Sequence, residues 1–222
     1  MNRALAPPSE PAVHLAGEVL VPLAEGALFW PAAETLFIAD PHFGKAATFR
    51  AAGLPLPGGT TGANLARLDG ILERTGALRL VVLGDLFHAA AGRRGRTISR
   101  MSEWRAGWED LEILVVRGNH DRKAGDPPAE LGMEVCSEPH ALKPFVLRHH
   151  PRPEDGYVLA GHIHPAVRLR GRGRQRARLP CFWFGEGVGV LPAFGAFTGA
   201  AVVEPAPGDR VYVVADGEVV EV

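Results

Sequence analysis

Five apolar runs in this chain end abruptly in residues able to ligate a cation or move a proton. Leu80-Val81-Val82-Leu83 leads into Gly84-Asp85-Leu86-Phe87-His88, and Leu36-Phe37-Ile38-Ala39 into Asp40-Pro41-His42. Leu114-Val115-Val116 leads into Arg117-Gly118-Asn119-His120-Asp121, Phe145-Val146-Leu147-Arg148 into His149-His150, and Val158-Leu159-Ala160 into Gly161-His162-Ile163-His164. One Asp or His after a strand is ordinarily a turn residue or a helix cap. Five such endings, holding seven of the nine histidines, point instead to one shared site. Imidazoles, carboxylates and a carboxamide together suit manganese, zinc or iron, whereas an all-oxygen set would suit magnesium or calcium. Two such ions roughly 3.5 to 4 Å apart clamp an in-line displacement at phosphorus. The residues therefore predict a binuclear phosphoesterase centre.

The elements that must hold these side chains follow from the same runs. A strand buried on both faces reads as continuous apolar sequence, and open α/β sheets carry their chemistry at the carboxyl ends of such strands. With 222 residues and 46% hydrophobic content, the chain is long enough to bury one substantial α/β core. We expect a single domain over residues 13–222 after a frayed segment, 1–12, that contains Pro7, Pro8 and Pro11 and no apolar run. Nothing there reads as a secretory signal or membrane anchor. The net charge of −1 gives no global pull toward an anion, so any such attraction is local. Cys136 and Cys181 form no C-x-x-C or zinc pattern, which suits two inert thiols in a reducing cytoplasm.

Glu18 to Pro22 and Ala27 to Trp30 read as a hairpin. A helix is expected from about Ala63 to Arg74, capped by Thr60 or Thr61, because Leu65, Leu68, Ile71 and Leu72 form an apolar stripe. Trp104 and Trp108 belong to a second helix, as packing residues rather than base-stacking platforms. Lys45 and Arg50 read as solvated charges or phosphate contacts, and Ala89 to Arg100 is rich in small and basic residues. Val188 to Phe197 reads as core strand. Arg168, Arg170, Arg172, Arg174, Arg176 and Arg178 recur at every second residue. That spacing puts them on one face of a strand. They are then either an exposed hairpin whose edge is kept soluble by charge or a guanidinium row along a polyphosphate or nucleic-acid backbone, with Arg170, Arg172, Arg174 and Arg176 as substrate contacts.

In order, the blocks Asp40-Pro41-His42, Gly84-Asp85, Gly118-Asn119-His120-Asp121, His149 and Gly161-His162-Ile163-His164 resemble the signature of the calcineurin-like metallophosphoesterases. That resemblance implies a two-sheet α/β sandwich, α-β-β-α in four layers, and two divalent ions, with manganese first and zinc or iron as alternatives. It assigns Asp40, His42 and His164 to one metal, Asn119, His149 and His162 to the other, and Asp85 to both. His120 takes the position of the catalytic histidine, donating a proton to the leaving alkoxide. His149 is preferred over His150 as ligand, with His150 beside it. Asp121 either orients His120 or caps a turn, and His88 supports a ligand or carries a proton.

Gly26-Ala27-Leu28-Phe29-Trp30-Pro31, Phe49-Arg50-Ala51-Ala52-Gly53 and Leu191 to Gly199 are similar to a bacterial phosphoesterase group associated with a DNA ligase, a helicase and an exonuclease in repair clusters. Pro41 and Phe43 depart from that group's D-L-H-L-G-K. The function implied is hydrolysis of DNA phosphodiesters in repair. Two other readings remain: hydrolysis of a small nucleotide or nucleotide-lipid, and a non-catalytic scaffold.

Overall fold

The computed structural model describes residues 11–54, 59–170, 176–196 and 198–222. The frayed segment expected at the N-terminus therefore lies largely outside the described residues, as do Arg172 and Arg174. The first sheet contains β1 (Val13–Leu15), β2 (Glu18–Pro22), β3 (Leu28–Trp30), β4 (Thr35–Ile38), β5 (Arg79–Leu83), β6 (Glu112–Val116) and β7 (Glu134–Cys136), in sequence order. From β1 to β4 the neighbours are antiparallel, including the expected β2–β3 hairpin, and from β4 to β7 they are parallel. The parallel crossovers carry α1 (Lys45–Ala51), α2 (Thr60–Thr75), α3 (Arg96–Ala106) and the single turn α4 (Asp121–Ala124).

The second sheet is built from β8 (His140–Leu142), β9 (Phe145–Leu147), β10 (Tyr157–Ala160), β11 (Pro165–Arg170), β12 (Arg176–Phe184), β13 (Val188–Val190), β14 (Ala201–Val202), β15 (Arg210–Ala215) and β16 (Glu218–Glu221). Its order is β14-β11-β12-β13-β10-β9-β8, with β15 beside β12 and β16 beside β15. Two mixed sheets with flanking helices make the α/β sandwich that the resemblance implied. Among the described residues, however, every α-helix lies between β4 and β7 and none follows β7, so the segment that builds the second sheet supplies no helix for the expected fourth layer.

The continuous apolar runs follow from this layering. Alternate residues of a strand face opposite ways, and both faces of the central strands are covered. Phe37, Val81, Leu83, Leu114 and Val116 of the first sheet meet Phe145, Leu147, Leu159, Phe182, Phe184 and Tyr212 of the second. On the other side Ile38, Val82, Ile113 and Val115 pack against Leu65, Leu68, Ile71 and Leu72 of α2 and Met101 and Trp104 of α3. A smaller group of Val167, Cys181, Val211 and Val213 lies elsewhere on the second sheet. Burying one such large side chain contributes about 1.5 to 3 kcal/mol, so the strand registers are held firmly by their own side chains.

Three local expectations need correction. Helix α2 starts at Thr60 with Gly59, not a threonine, at its N-cap, in a left-handed conformation (φ +91°). Thr61 Oγ1 instead accepts from the Gly44 amide at 3.2 Å, so the hydroxyl ties α2 to the loop after His42. Trp108 lies beyond the end of α3, yet its indole and that of Trp104 both donate to Asp69 Oδ1, at 2.8 and 2.6 Å. Among the described residues of the run 188–197, only Val188–Val190 are strand. Leu191 N still donates to Ala160 O at 2.9 Å, and the chain then crosses to the first sheet, where Phe194 N donates to Ala39 O at 2.8 Å.

Both tryptophans are thus committed to a shared internal acceptor. Asp69→Ala should lower unfolding stability by about 2 kcal/mol, the cost of leaving two half-buried donors unpaired, as read from urea denaturation. A change below experimental error would contradict that role.

Candidate metal centre

Parallel registration of β4 with β5 and β5 with β6 brings three strand ends side by side, with Ile38 opposite Val82 and Leu83 opposite Val116. In the second sheet β9 and β10 are also parallel neighbours, with Leu147 opposite Leu159. All five endings converge where the sheets meet. The ligand atoms of Asp40, His42 and His164 fall within 4.8 Å of one another, and so do those of Asp40, Asp85 and His149, of His149, His150 and His162, and of His42, His88 and His120.

The backbone there is unusual. Asp40, His42, Asp85, His162 and His164 have φ of 51°, 46°, 52°, 73° and 49°. A non-glycine residue in that region costs on the order of 1 to 3 kcal/mol and persists only where its surroundings enforce it. Here the enforcing bonds are visible: Asp40 N donates to Gly84 O at 3.2 Å, His42 N to Asp85 O at 3.0 Å, and Gly195 N to Asp40 O at 3.1 Å. The motif glycines have a separate reason. A Cβ at Gly84 would strike the His149 ring, one at Gly118 the Asp85 carboxylate, and one at Gly161 the Asp40 carboxylate.

Hydrogen bonds orient the donors. His162 N donates to Asp40 Oδ2 at 2.8 Å and His120 N to Asp85 Oδ1 at 2.9 Å. His149 Nδ1 faces the Leu83 carbonyl at 3.2 Å. A carbonyl only accepts, so this nitrogen holds the ring proton and Nε2 presents a lone pair. That lone pair lies 2.9 Å from Asn119 Oδ1, 3.5 Å from Asp85 Oδ1 and 3.0 Å from His162 Nδ1. His164 repeats the pattern, with Nδ1 on Gly199 O at 2.8 Å and Nε2 3.4 Å from Asp40 Oδ1. This second approach lacks hydrogen-bond alignment, and Asp40 Oδ1 is a buried acceptor without a hydrogen-bond partner; the buried His42 Nδ1 has no hydrogen-bond partner either. Acceptors facing acceptors in a dry site call for a cation. The mixed oxygen and nitrogen donors fit a divalent first-row metal.

Charge crowding shows in the titration of these groups. Burial pushes the Asp40 carboxyl up, but its closeness to His164 and His149 and the bond from the His162 amide outweigh it and hold its pKa below the ordinary value. Asp85 goes the other way, raised by burial and by Asp40 despite attraction from His149. Burial, with Lys45 and His120 nearby, drives His42 down to about 3 and His88 down to about 4. Both present neutral rings at neutral pH. Burial works to lower His164 too, but its closeness to Asp40 raises it above the usual histidine value.

The remaining candidates take distinct places. His120 Nδ1 lies 2.8 Å from the His88 carbonyl and its Nε2 4.0 Å from Asp85 Oδ2. It is half exposed, and its ring stacks on His88 at 5.0 Å, which stacks on Phe49 at 5.4 Å. Asp121 does not orient His120. Its two oxygens accept from Phe87 N at 3.1 Å and Gly118 N at 3.0 Å, tying two of the loops together. Of the two adjacent histidines, His149 is fully buried and turned toward Asp85, while His150 Nδ1 is held by Glu138 Oε1 at 2.7 Å. The arginine row starts beyond His164 on β11. Arg168 faces Arg178, and Arg170 faces Arg176, across the β11–β12 pair.

Three contributors had no readable signal. Glu138 accepts from the amides of His149 and His150, both at 2.9 Å, besides holding the His150 ring. Arg67 donates to Phe194 O and lies 4.0 Å over the Phe194 ring, pinning the segment that locks Asp40. Gly199 fixes the His164 tautomer.

Among solved structures, the chain is 42% identical to the nuclease MPE of Pseudomonas putida, with a TM-score of 0.84 over 95% of this chain and 100% of that one. The chain belongs to the metallophosphoesterase family. As a member it is a metal-dependent phosphoesterase. Yfce, a phosphoesterase from E. coli, aligns at 16% identity and a TM-score of 0.39 over 85% of this chain and 97% of that one, too distant to bear on the site. No protein-family model and no curated protein matches the chain.

A metallophosphoesterase site loads its metal against protons. The His164 pKa is raised, so the metal-free chain keeps that proton through the ordinary histidine range and must release it on binding. Manganese affinity should therefore rise with pH up to just above that range and then level off. Calorimetric titrations in buffers of different ionisation enthalpy should register the released proton. Affinity independent of pH would contradict this.

Proposed function

We propose that this metallophosphoesterase is a nuclease that cleaves DNA phosphodiesters with two divalent ions, manganese first among them. One observation carries the reading: the two oxygens of Asp85 face different donor groups. Oδ1 is 3.5 Å from His149 Nε2, in the group completed by Asn119 and His162, and Oδ2 is 3.8 Å from His42 Nε2, in the group completed by Asp40 and His164. A carboxylate so placed would serve both ions of a two-metal centre, with His149, Asn119 and His162 holding one and Asp40, His42 and His164 the other. Bound there, the ions supply Lewis acidity toward the phosphoryl oxygens and bring the pKa of a water down toward about 7.

The chain's own residues do the rest. His120, its Nδ1 fixed by the His88 carbonyl, directs Nε2 to the mouth of the site, where a protonated ring can pass a proton to the leaving oxygen. Asp121 and Glu138 hold the loops at rest, so little reorganisation accompanies reaction. DNA as substrate is supported by the name of the P. putida neighbour and by the arginine row. Like charges placed directly opposite across strands destabilise a sheet, and a polyanion relieves that cost at Arg168 and Arg178. A repair role and partners such as a ligase, helicase and exonuclease rest on the sequence resemblance alone, and a cytoplasmic setting on the two unpatterned cysteines. No described helix is long and apolar enough to cross a membrane.

Purified protein with manganese should cut single-stranded or duplex DNA. Asp85→Ala should lose metal and activity together, while His120→Ala should keep its metal and lose roughly 10²- to 10⁴-fold in turnover, the range for general acid catalysis. Metal analysis beside DNA and small-diester assays checks this. Full metal content and turnover in Asp85→Ala would overturn the two-metal assignment, and cleavage of small nucleotides but not DNA would overturn the nuclease reading.

A further inference from the structure

The second sheet leaves an apolar recess open on its outer side. Side chains alternate across a strand, so Phe182 and Phe184 of β12 face the first sheet while Trp183, between them, faces out. Val190 of β13 stands opposite Trp183 in the strand register, and Val188 shares its face. The segment that builds this sheet supplies no helix to cover that face among the described residues. The recess has a volume of about 420 Å³ and is walled by Trp183, Val188, Val190, Pro151 and Pro153, with Glu186 as the one ionisable residue among those that line it.

Its walls are set before any ligand arrives. Trp183 Nε1 donates to Asp209 Oδ2 at 2.7 Å, which fixes the ring plane and occupies the indole's single polar atom. Proline has a locked φ, and Arg148 ties down the loop that carries Pro151 and Pro153. Its Nε donates to the His150 carbonyl at 3.2 Å, and its guanidinium pairs with Glu154. What Trp183 still offers is an apolar ring surface.

The recess adjoins the metal centre on two walls. Pro151 follows His150 and stands two residues from His149. Across the recess, β13 runs parallel to β10 with Val190 opposite Ala160, and Ala160 stands two residues before His162. At 3.8 Å between successive Cα atoms, each wall is within about 8 Å of chain from a ligand-type histidine. The volume falls in the range of small-molecule sites, roughly 300 to 1,000 Å³. A carboxylate at the rim repels a phosphate but accepts from the amino group of a base, and an aromatic wall stacks on flat rings.

We propose that this recess takes one unstacked nucleobase of the strand, next to the bond that is cut, with the base against Trp183. That assignment rests on the nuclease reading for its polymer, and on the recess for its ligand.

The test gives the full chain, loaded with manganese, a set of single-stranded oligonucleotides that each carry an abasic residue at one position. In the wild type, an abasic residue at one fixed distance from the cut bond should lower kcat/KM for that bond by roughly 5- to 150-fold, the loss expected when one base–aromatic stack is removed. Abasic residues at other positions should have much smaller effects. Trp183→Leu should lose a similar factor on the intact strand and become indifferent to the abasic position, with its metal content unchanged. Because that change also removes the bond to Asp209, Val188→Phe is made beside it, filling the recess while leaving Trp183 in place. Thermal melting verifies folding of both, and both should behave alike. A flat abasic profile in the wild type, or a profile that both variants keep, would overturn the proposal and leave the nuclease reading intact. So would a wild-type dimer that both variants turn into monomers with the abasic profile unchanged, since a second copy would then cover the recess. If the manganese-loaded chain cuts no strand, the nuclease reading fails, and the recess is read from binding. Affinity of the chelated protein for the intact strand, by fluorescence anisotropy, should then still fall by a similar factor in both variants, and equal affinity would overturn the proposal.

Discussion

Asp40 and Asp85 are carboxylates at 0% and 2% exposure, both within reach of the same His149 ring, at 3.8 and 3.5 Å. Two such charges in a dry interior repel, and water cannot screen them there. The protons available relieve this only in part, because His149 turns its Nδ1 proton to the Leu83 carbonyl and its lone pair inward, and Asp40 Oδ1 has no aligned hydrogen-bond partner. The surrounding architecture holds an arrangement that is unfavourable until a cation enters it.

That constraint accounts for where the structure is strained and where it is firm. Left-handed backbone at five ligand-type residues, and glycines whose missing Cβ atoms leave room for His149, Asp85 and Asp40, are costs carried at the strand ends. The offsetting stability lies one layer away, in the packing of Phe37, Val81 and Leu83 against Phe182, Phe184 and Tyr212, and in the α2 stripe on the opposite face. A well-packed interior deforms little. Strain at the loops is therefore retained rather than relaxed, and the donors stay where a metal needs them.

The parts legible in the sequence were those coded by local pattern. Apolar runs gave the central strands, and the residues that end them gave the candidate donor set. Less was legible where the fold joins distant segments. Arg67 reaches Phe194 across 127 positions and Glu138 reaches His149 across 11. Neither interaction leaves a periodicity or spacing to read. Thr61 has the residue type of a helix cap, yet tertiary bonding draws its hydroxyl to Gly44 instead. Leu191 to Phe194 looks like strand because it is apolar, but the segment leaves the second sheet after Leu191 and Phe194 bonds to Ala39 at the end of β4.

The central claim is that this crowded, acceptor-rich cluster is a two-metal centre. Calorimetric titration of the chelated full chain with manganese tests it most directly. The account predicts saturable binding of two equivalents, with a melting temperature that climbs as free metal exceeds its dissociation constant, since a ligand for the folded state alone stabilises it. Saturation at one equivalent, or no saturable binding, would contradict it.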